Sequence, residues 1–224
     1  MYSERPSGLD GAVVWTRTGA GRRGHHRILP DGCLDLIWRD GELLVAGPDT
    51  IAHLATSAPG VEYAAVRFAP GTGPGVLGVP ADELRDRRVP LSALWPATRA
   101  RSLADAVADA PDRGRALERM LVPLFAPAEP WVGAVVARLR RGHAIGSVAA
   151  EVGLSERQLH RRCLASFGYG PKTLARVMRM RRAIGLARGG MAFAAVAVGA
   201  GYADQAHLAR DVKSLAGVPL TALL

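Results

Sequence analysis

Apolar and polar positions alternate in short runs over the first 70 residues, the two-residue period of half-buried strands. The stretch LDLIWRDGELLVAG sets Asp40-Gly41 between two such runs, Leu34 to Arg39 and Glu42 to Ala46. Asp-Gly suits the positive φ angles of a tight hairpin turn, so the two runs are expected to pair. GAVVWT and VEYAAVRFAP supply two further strands, the second ended by Pro70 and Gly71. From Gly71 to Pro96, closely spaced Pro and Gly break the chain into short helical turns such as ADELRD. After Pro96 the period lengthens, with Leu103, Val107, Leu117, Met120, Leu121 and Leu124 at largely three- and four-residue steps, which predicts helix. APAEP at 126–130 interrupts that pattern with two prolines.

Beyond the break the pattern is duplicated. VAAEVGLSERQLHRR, from Val148, and VAVGAGYADQAHLARD, from Val196, lie 48 residues apart. Both run Val-Ala, a Gly five residues after the Val, an apolar residue next, and later a Leu followed two positions on by Arg. Ile145, Val148, Ala149 and Val152 form an i, i+3, i+4, i+7 apolar face in the first unit, and Phe193, Val196, Ala197 and Ala200 do so in the second. Helix, Gly-containing turn and second helix, twice over, is a helix-turn-helix signature. Ser155 with Gln158 has capping-box spacing, and Asp204 is the N-cap of the second copy, its charge favoured by the helix dipole.

The second helix of each unit divides into faces. Leu159, Cys163 and Phe167, and in the other copy Leu208, Val212 and Leu215, are expected to point inward. Arg157, His160 and Arg161, and Gln205, Ala206, Ala209 and Arg210, are left outside. Arg and Gln at such positions match guanine and adenine edges in the major groove. Between the units PKTLARVMRMRRAIGLA predicts one long helix with Leu174, Val177 and Met178 inward and Arg176, Arg179 and Arg182 recurring every third residue. Arg162, Lys172, Arg176, Arg179 and Lys213 are the candidate phosphate contacts.

Charge sharpens this picture. The 224 residues carry 29 Lys/Arg and 20 Asp/Glu, a formal +9. From Trp131 onward there are 14 Lys/Arg and 4 Asp/Glu, a net +10, whereas residues 1 to 130 hold 15 and 16, a net −1. The basic excess therefore belongs to the duplicated region, as in a polyanion-binding module joined to a neutral one. The apolar content of 49% is enough for a core in each of two small domains.

Residues 131 to 224 resemble the tandem helix-turn-helix domain of AraC-type bacterial transcription regulators, most specifically through AAEVGLSERQLHRR, GYGPKTLARVMRMRRA and GYADQAHLARDVKSLAGVPL. Carried over position by position, the resemblance assigns base reading to Arg157, His160, Arg161, Gln205, Ala206, Ala209 and Arg210. Val212 stands where that family usually has Phe. HRILPDGCLDLIW and VRFAPG…LGVPADELRDRRVPLSALW resemble a β-rich sensor domain of some actinobacterial regulators of this type, which implies a small cupin-like β structure. The expected fold is therefore α+β and multidomain. It comprises a β-rich, cupin-like sensing or dimerisation domain over 1–97, a helical connector over 98–127, and an all-α domain with two helix-turn-helix units joined by a long helix over 128–224. The partners this implies are duplex promoter DNA, RNA polymerase, a small-molecule effector and a second copy of the chain.

Other chemistries are weaker on the same residues. Gly19, Gly21 and Gly24 have G-x-G-x-x-G spacing, but a nucleotide site needs a helix to open on the third Gly, and HHRILPDG is a poor helix start; a basic hairpin loop is the simpler reading. His25, His26, Asp31, Cys33 and Asp35 are zinc-ligand types, yet adjacent histidines on a strand point to opposite faces, and no metal or cofactor is assigned. Trp15, His26, Trp38, Tyr63 and Phe68 are candidates to line an effector pocket. A metal-dependent cupin-like enzyme or sensor tethered to DNA is the rival reading. No Ser/His/Asp arrangement with a nucleophile turn and no paired-carboxylate constellation is apparent, so an enzyme is not expected. Two cysteines without disulfide or zinc spacing, no signal-peptide pattern and no 18-residue apolar run point to the cytoplasm and away from a membrane.

Overall fold

The Asp40-Gly41 turn has φ of 48° and 85°, and strands Leu34–Arg39 (β4) and Glu42–Ala46 (β5) pair antiparallel across it. The computed structural model describes residues 2–19 and 24–224. Among them, β4 and β5 belong to a six-stranded antiparallel sheet with Tyr2–Pro6 (β1), Val13–Thr18 (β2), Glu62–Phe68 (β7) and Arg88–Pro90 (β8), in the order β1-β2-β7-β4-β5-β8. A two-stranded sheet pairs Gly24–Ile28 (β3) with His53–Ser57 (β6). A strand thus begins at Gly24, where a nucleotide-binding turn would need a helix. Gly21 of the glycine-spaced segment lies outside the described residues.

Alternation along the strands divides the large sheet. Leu34, Leu36 and Trp38 are buried on one face, while Asp35, Ile37 and Arg39 are half-buried on the other. After the short helix Gly73–Leu77 (α1), the first face is covered by Ala97–Ala108 (α2) and Arg113–Leu121 (α3). Ala100, Ala104, Val107, Ala116, Leu117 and Leu121 join Leu36, Val66 and Phe68 in one core. The segment expected as a connector, 98–127, is therefore mostly part of the N-terminal domain's core: its apolar stripe is buried by the sheet. Trp38 fixes the seam, its indole Nε1 donating to the Ala104 carbonyl at 3.1 Å with the Arg113 guanidinium over its ring.

The helical region has two cores. Pro130–Arg140 (α4), Ile145–Glu151 (α5) and Glu156–Phe167 (α6) surround the first, with Val135, Val148, Leu159 and Phe167 at its centre. Phe193–Ala200 (α8) and Gln205–Ala216 (α9) surround the second, with Val196, Leu208 and Val212. The long helix Pro171–Arg188 (α7) gives Leu174, Val177 and Met178 to the first and Met180, Ala183 and Ile184 to the second. Its 18 residues span about 27 Å at 1.5 Å per residue. Among the described residues no helix is long and apolar enough to cross a membrane.

The N-terminal edge is held by one carboxylate. Glu118 on α3 accepts from Arg5 Nη2 at 2.7 Å, Ser7 Oγ at 2.6 Å and the Gly8 amide at 2.6 Å. Burial raises its pKa, but these hydrogen bonds and the Arg5 charge outweigh it and bring the value from 4.5 down to about 2. A carboxyl depressed on folding contributes stability that is complete above its unfolded value and lost as pH falls through the folded one. Urea-unfolding free energy is thus expected to fall between pH 4.5 and about 2, and Glu118→Gln to lower stability at neutral pH and flatten that part of the profile.

Candidate nucleic-acid interface and ligand cavity

Helices α6 and α9 start from caps of the expected kind. The Gln158 amide donates to Ser155 Oγ at 3.3 Å while Ser155 N–H donates to Gln158 Oε1 at 2.9 Å, closing the capping box. Asp204 Oδ1 accepts from the His207 amide at 2.6 Å. Leu159, Cys163 and Phe167, and Leu208, Val212 and Leu215, are buried. Arg157, His160 and Arg161, and Gln205, Ala206, Ala209 and Arg210, are exposed. Gly170 makes room for the imidazole of His160, since a Cβ there would lie 2.6 Å from its Cε1. Arg157, Arg161 and Arg210 have no ion-pair partner among the described residues, so their guanidinium groups are open to an incoming anion or base edge.

The candidate phosphate residues separate into two groups. Lys172 and Lys213 are exposed. Arg176 and Arg179 instead turn to α9: Arg176 Nη2 lies 2.7 Å from Asp211 Oδ1 and Arg179 Nη2 3.7 Å from Oδ2. Arg179 also lies over the Tyr202 ring at 4.7 Å. Asp211 is only 8% exposed, and burying a carboxylate is tolerated only with such partners. Arg162 reaches Glu129 at 3.7 Å and stacks over Trp131. These three arginines bind the domain's own groups rather than standing free. Arg182 lies with Arg140, Arg141 and Arg181 around a strongly basic hollow that the sequence reading did not single out. Asp211 was legible: with Leu208, Val212 and Leu215 it completes i, i+3, i+4, i+7 spacing on the buried face.

A cavity of about 320 Å³ lies on the face of the large sheet opposite α2 and α3, between it and the β3–β6 sheet. Trp15, His26 and Tyr63 line it. Trp38 and Phe68 do not; strand alternation points both into the helix-covered core, where they are 5% and 0% exposed. The lining residues that the sequence did not point to are Arg17, Arg39, Asp49, Arg67 and Arg88, while Asp31, Cys33 and Asp35 stood out only as metal-ligand types. Asp35 accepts from Trp15 Nε1 at 2.7 Å and Arg67 Nε at 3.1 Å. Burial pushes its pKa up, against the opposing pull of Arg67 and Trp15. Arg88 Nη2 donates to Asp49 Oδ2 at 2.6 Å. Burial, with Asp31 and Asp35 nearby, drives the Cys33 pKa well up, so the thiol is protonated at neutral pH.

His26 is held neutral: burial lowers its pKa, and Arg17 and His25 add to this. Its Nε2 lies 3.2 Å from Ser57 Oγ. His25 points to the other side of β3, where Nδ1 meets Thr56 Oγ1 at 3.3 Å. Of the zinc-type residues, His26, Asp31, Cys33 and Asp35 line the cavity and His25 does not, and among the described residues no group of three or more His, Cys, Asp and Glu is placed to hold a metal ion.

The sheet over the cavity also touches the second helix-turn-helix unit. Arg27 Nη1 on β3 donates to the Ala216 carbonyl at 2.8 Å, and the Ala52 amide, just before β6, donates to the Leu215 carbonyl at 2.7 Å. Both acceptors belong to the last turn of α9, where helix carbonyls lack internal partners. Leu29 lines the cavity and packs against the second core. The end of α6 also packs on the N-terminal domain, with Phe167 against Gly71 and Gly168 against Pro48 and Ala81, and Arg85 Nη1 donates to the Gly168 carbonyl at 3.3 Å.

A family model described as a helix-turn-helix domain matches residues 148–224, and one described as a domain of unknown function (DUF6597) matches residues 12–90. No curated protein matches in sequence. Among solved structures the chain is similar to ToxT from Vibrio cholerae O395, at 10% identity and a TM-score of 0.46, covering 99% of this chain and 96% of that one. It is also similar to ToxT of that strain bound to (E)-4-(8-methylnaphthalen-1-yl)but-3-enoic acid, at 10% identity, TM-score 0.46 and coverage of 100% and 99%. An apo ToxT variant from Vibrio cholerae strain SCE256 gives 10% identity, TM-score 0.48 and coverage of 98% and 100%.

Removing one partner of a buried ion pair leaves an uncompensated charge and typically costs about 3–5 kcal/mol. Because Arg176 and Arg179 are 34% and 27% exposed and water screens the charges left behind, Asp211→Ala is expected to lose less than that, about 1–3 kcal/mol in urea unfolding, whereas Lys213→Ala, two residues on and exposed, stays within about 0.5 kcal/mol of the parent.

Proposed function

We propose that this protein is a DNA-binding transcription regulator of the AraC type, supported by the helix-turn-helix match over residues 148–224, and that a single chain reads two adjacent major grooves of promoter DNA. On this reading α6 and α9 are the two recognition helices. The observation that carries it is the pairing of two capped helices of the same repeat, each with a buried apolar stripe and an exposed face, locked to one shared helix. Successive major grooves on one face of B-DNA are about 34 Å apart, so two heads need a rigid spacer, and α7 is that spacer. Arg157, His160 and Arg161 read one half-site; Gln205, Ala206, Ala209 and Arg210 read the other. Lys172 and Lys213 contact phosphates, while Arg176 and Arg179 hold α9 in place.

The N-terminal domain, which we bound at about residue 127, senses a small-molecule effector in the cavity. Occupancy acts on α9 through β3, β6 and Leu29, the elements that touch both the cavity and the second unit. The wider partners of this reading are RNA polymerase at the promoter and a second copy of the chain paired through the N-terminal domain, with the cytoplasm as the compartment and no catalytic step of its own.

A base-substitution scan tests the two heads. Arg161→Ala and Arg210→Ala are each expected to cost about 1–3 kcal/mol and to relax preference in one half only, at positions about 10 base pairs apart. Lys213→Ala should weaken all sequences alike and reduce the salt slope by about one unit. Loss of preference at the same base pairs in both arginine variants would defeat the two-headed reading.

Coupling has a separate readout. Arg27→Ala removes the hydrogen bond to Ala216 but no residue of the DNA face. It is expected to bind operator while its affinity no longer responds to a cavity ligand; an undiminished response would remove Arg27 from the route.

A further inference from the structure

The charges of the cavity are unevenly matched. Asp35 is engaged by Arg67 and Trp15, Asp31 by the Cys33 amide at 2.9 Å, and Asp49 by Arg88. The same contacts occupy Arg67 and Arg88. Two arginines remain on the lining, Arg17 and Arg39. Arg17 donates to the neutral Ser57 hydroxyl at 3.1 Å. Arg39 has no ion pair or hydrogen bond among the described residues, and neither arginine has a carboxylate partner there.

Strand register brings these two together. Arg17 on β2 is opposite Tyr63 on β7, and Tyr63 is opposite Arg39 on β4. The three share one face of adjacent strands, with the arginines on either side of the tyrosine. Strands are spaced about 4.8 Å apart, so the two arginine backbones stand about 10 Å apart, near enough for both long side chains to converge on one small group over Tyr63. Both are half-buried, and two like charges in a partly enclosed site repel without a counter-ion. Two residues back along the same strands, Trp15 and Ile37 face the same cavity, joined by Leu44 from β5. The wall is cationic at one end and apolar beside it.

We propose that this cavity binds a small amphipathic carboxylic acid, its carboxylate between Arg17 and Arg39 over Tyr63 and its apolar or aromatic body against Trp15, Ile37 and Leu44. The engaged Asp35–Arg67 pair closes the far end and leaves no unpartnered carboxylate to attract a cation. The volume of about 320 Å³ lies at the lower end of the ~300–1,000 Å³ usual for small-molecule sites. This names the ligand class for the effector cavity proposed above and rests on that reading for its regulatory meaning, though not for binding itself.

The test uses the full-length protein and three isosteric probes: 4-phenylbutyrate, neutral 4-phenylbutyramide and cationic 4-phenylbutylamine. Calorimetric titration, with Trp15 fluorescence as the local reporter, is expected to show the acid binding at least about tenfold more tightly than the amide, a difference of about 1.4 kcal/mol, and the amine not at all. Arg17→Gln and Arg39→Gln should each weaken the acid about tenfold or more; Arg39→Lys, which keeps the charge, should recover part of the loss. Arg119→Gln on the exposed side of α3 should bind as the parent does. Melting of each unliganded variant establishes that it is folded. Equal binding of acid and amide, preference for the amine, unaltered acid binding in both Gln variants, or no binding of any probe would overturn the proposal. Operator affinity measured in the same samples separates the two readings: acid binding that leaves DNA affinity unchanged would uphold the anion site and overturn its coupling to α9.

Discussion

Asp211, buried between Arg176 and Arg179, is the contact on which the geometry of the helical domain turns. Its carboxylate belongs to α9 and its partners to α7, so the ion pair fixes how the one helix sits on the other. A hydrophobic contact at that place would hold the helices together with less angular definition, because apolar attraction is not directional. A guanidinium–carboxylate contact has a required geometry. Since α7 contributes to both cores, whatever fixes α9 on it also fixes α9 relative to α6. The relative orientation of the exposed faces of α6 and α9 is thereby reduced to the packing of one 18-residue helix.

The large sheet plays two physical roles on its two faces. One is closed by α2 and α3 and supplies the apolar burial that makes the N-terminal domain stable. The other carries residues that a core would not tolerate: Asp35, Arg39 and Arg67 alternate with core residues along β4 and β7. A half-buried charged face is costly unless its groups pair, and most of them do. Covering that face with a two-stranded sheet rather than helices leaves space, and the same two strands reach the second helix-turn-helix unit. The cavity and the second helix-turn-helix unit are joined through a thin element that has few contacts of its own.

Much of this is legible in the primary structure wherever a single periodicity acts alone. The hairpin at Asp40-Gly41, the capping residues Ser155 and Asp204, and the inward and outward residues of α6 and α9 follow from local spacing. The failures occur where two elements must be known at once. Trp38 and Phe68 are aromatic like Trp15 and Tyr63, and only the register of β2, β4 and β7 reveals that they face the opposite way. Arg176 and Arg179 look like a basic stripe until Asp211, 32 positions beyond Arg179, is seen to complete the buried face of another helix. The helices after Pro96 read as a connector because the surface that buries their apolar stripe lies some 60 residues earlier, at Leu36 and Trp38. Strands β3 and β6 carry few apolar alternations, since one of their faces lines a cavity and not a core.

The way the N-terminal domain holds α9 has an evolutionary consequence. Its two hydrogen bonds to that helix end on the main-chain carbonyls of Leu215 and Ala216, and its hydrogen bond to the end of α6 ends on the carbonyl of Gly168, beside the buried Phe167. Every residue of a helix offers the same carbonyl, whatever its side chain. The outward positions of the two helices can therefore be rewritten by mutation without removing those hydrogen bonds. On the proposed function, lineages descended from such a chain are free to retarget an existing chemical signal to new genes one surface residue at a time.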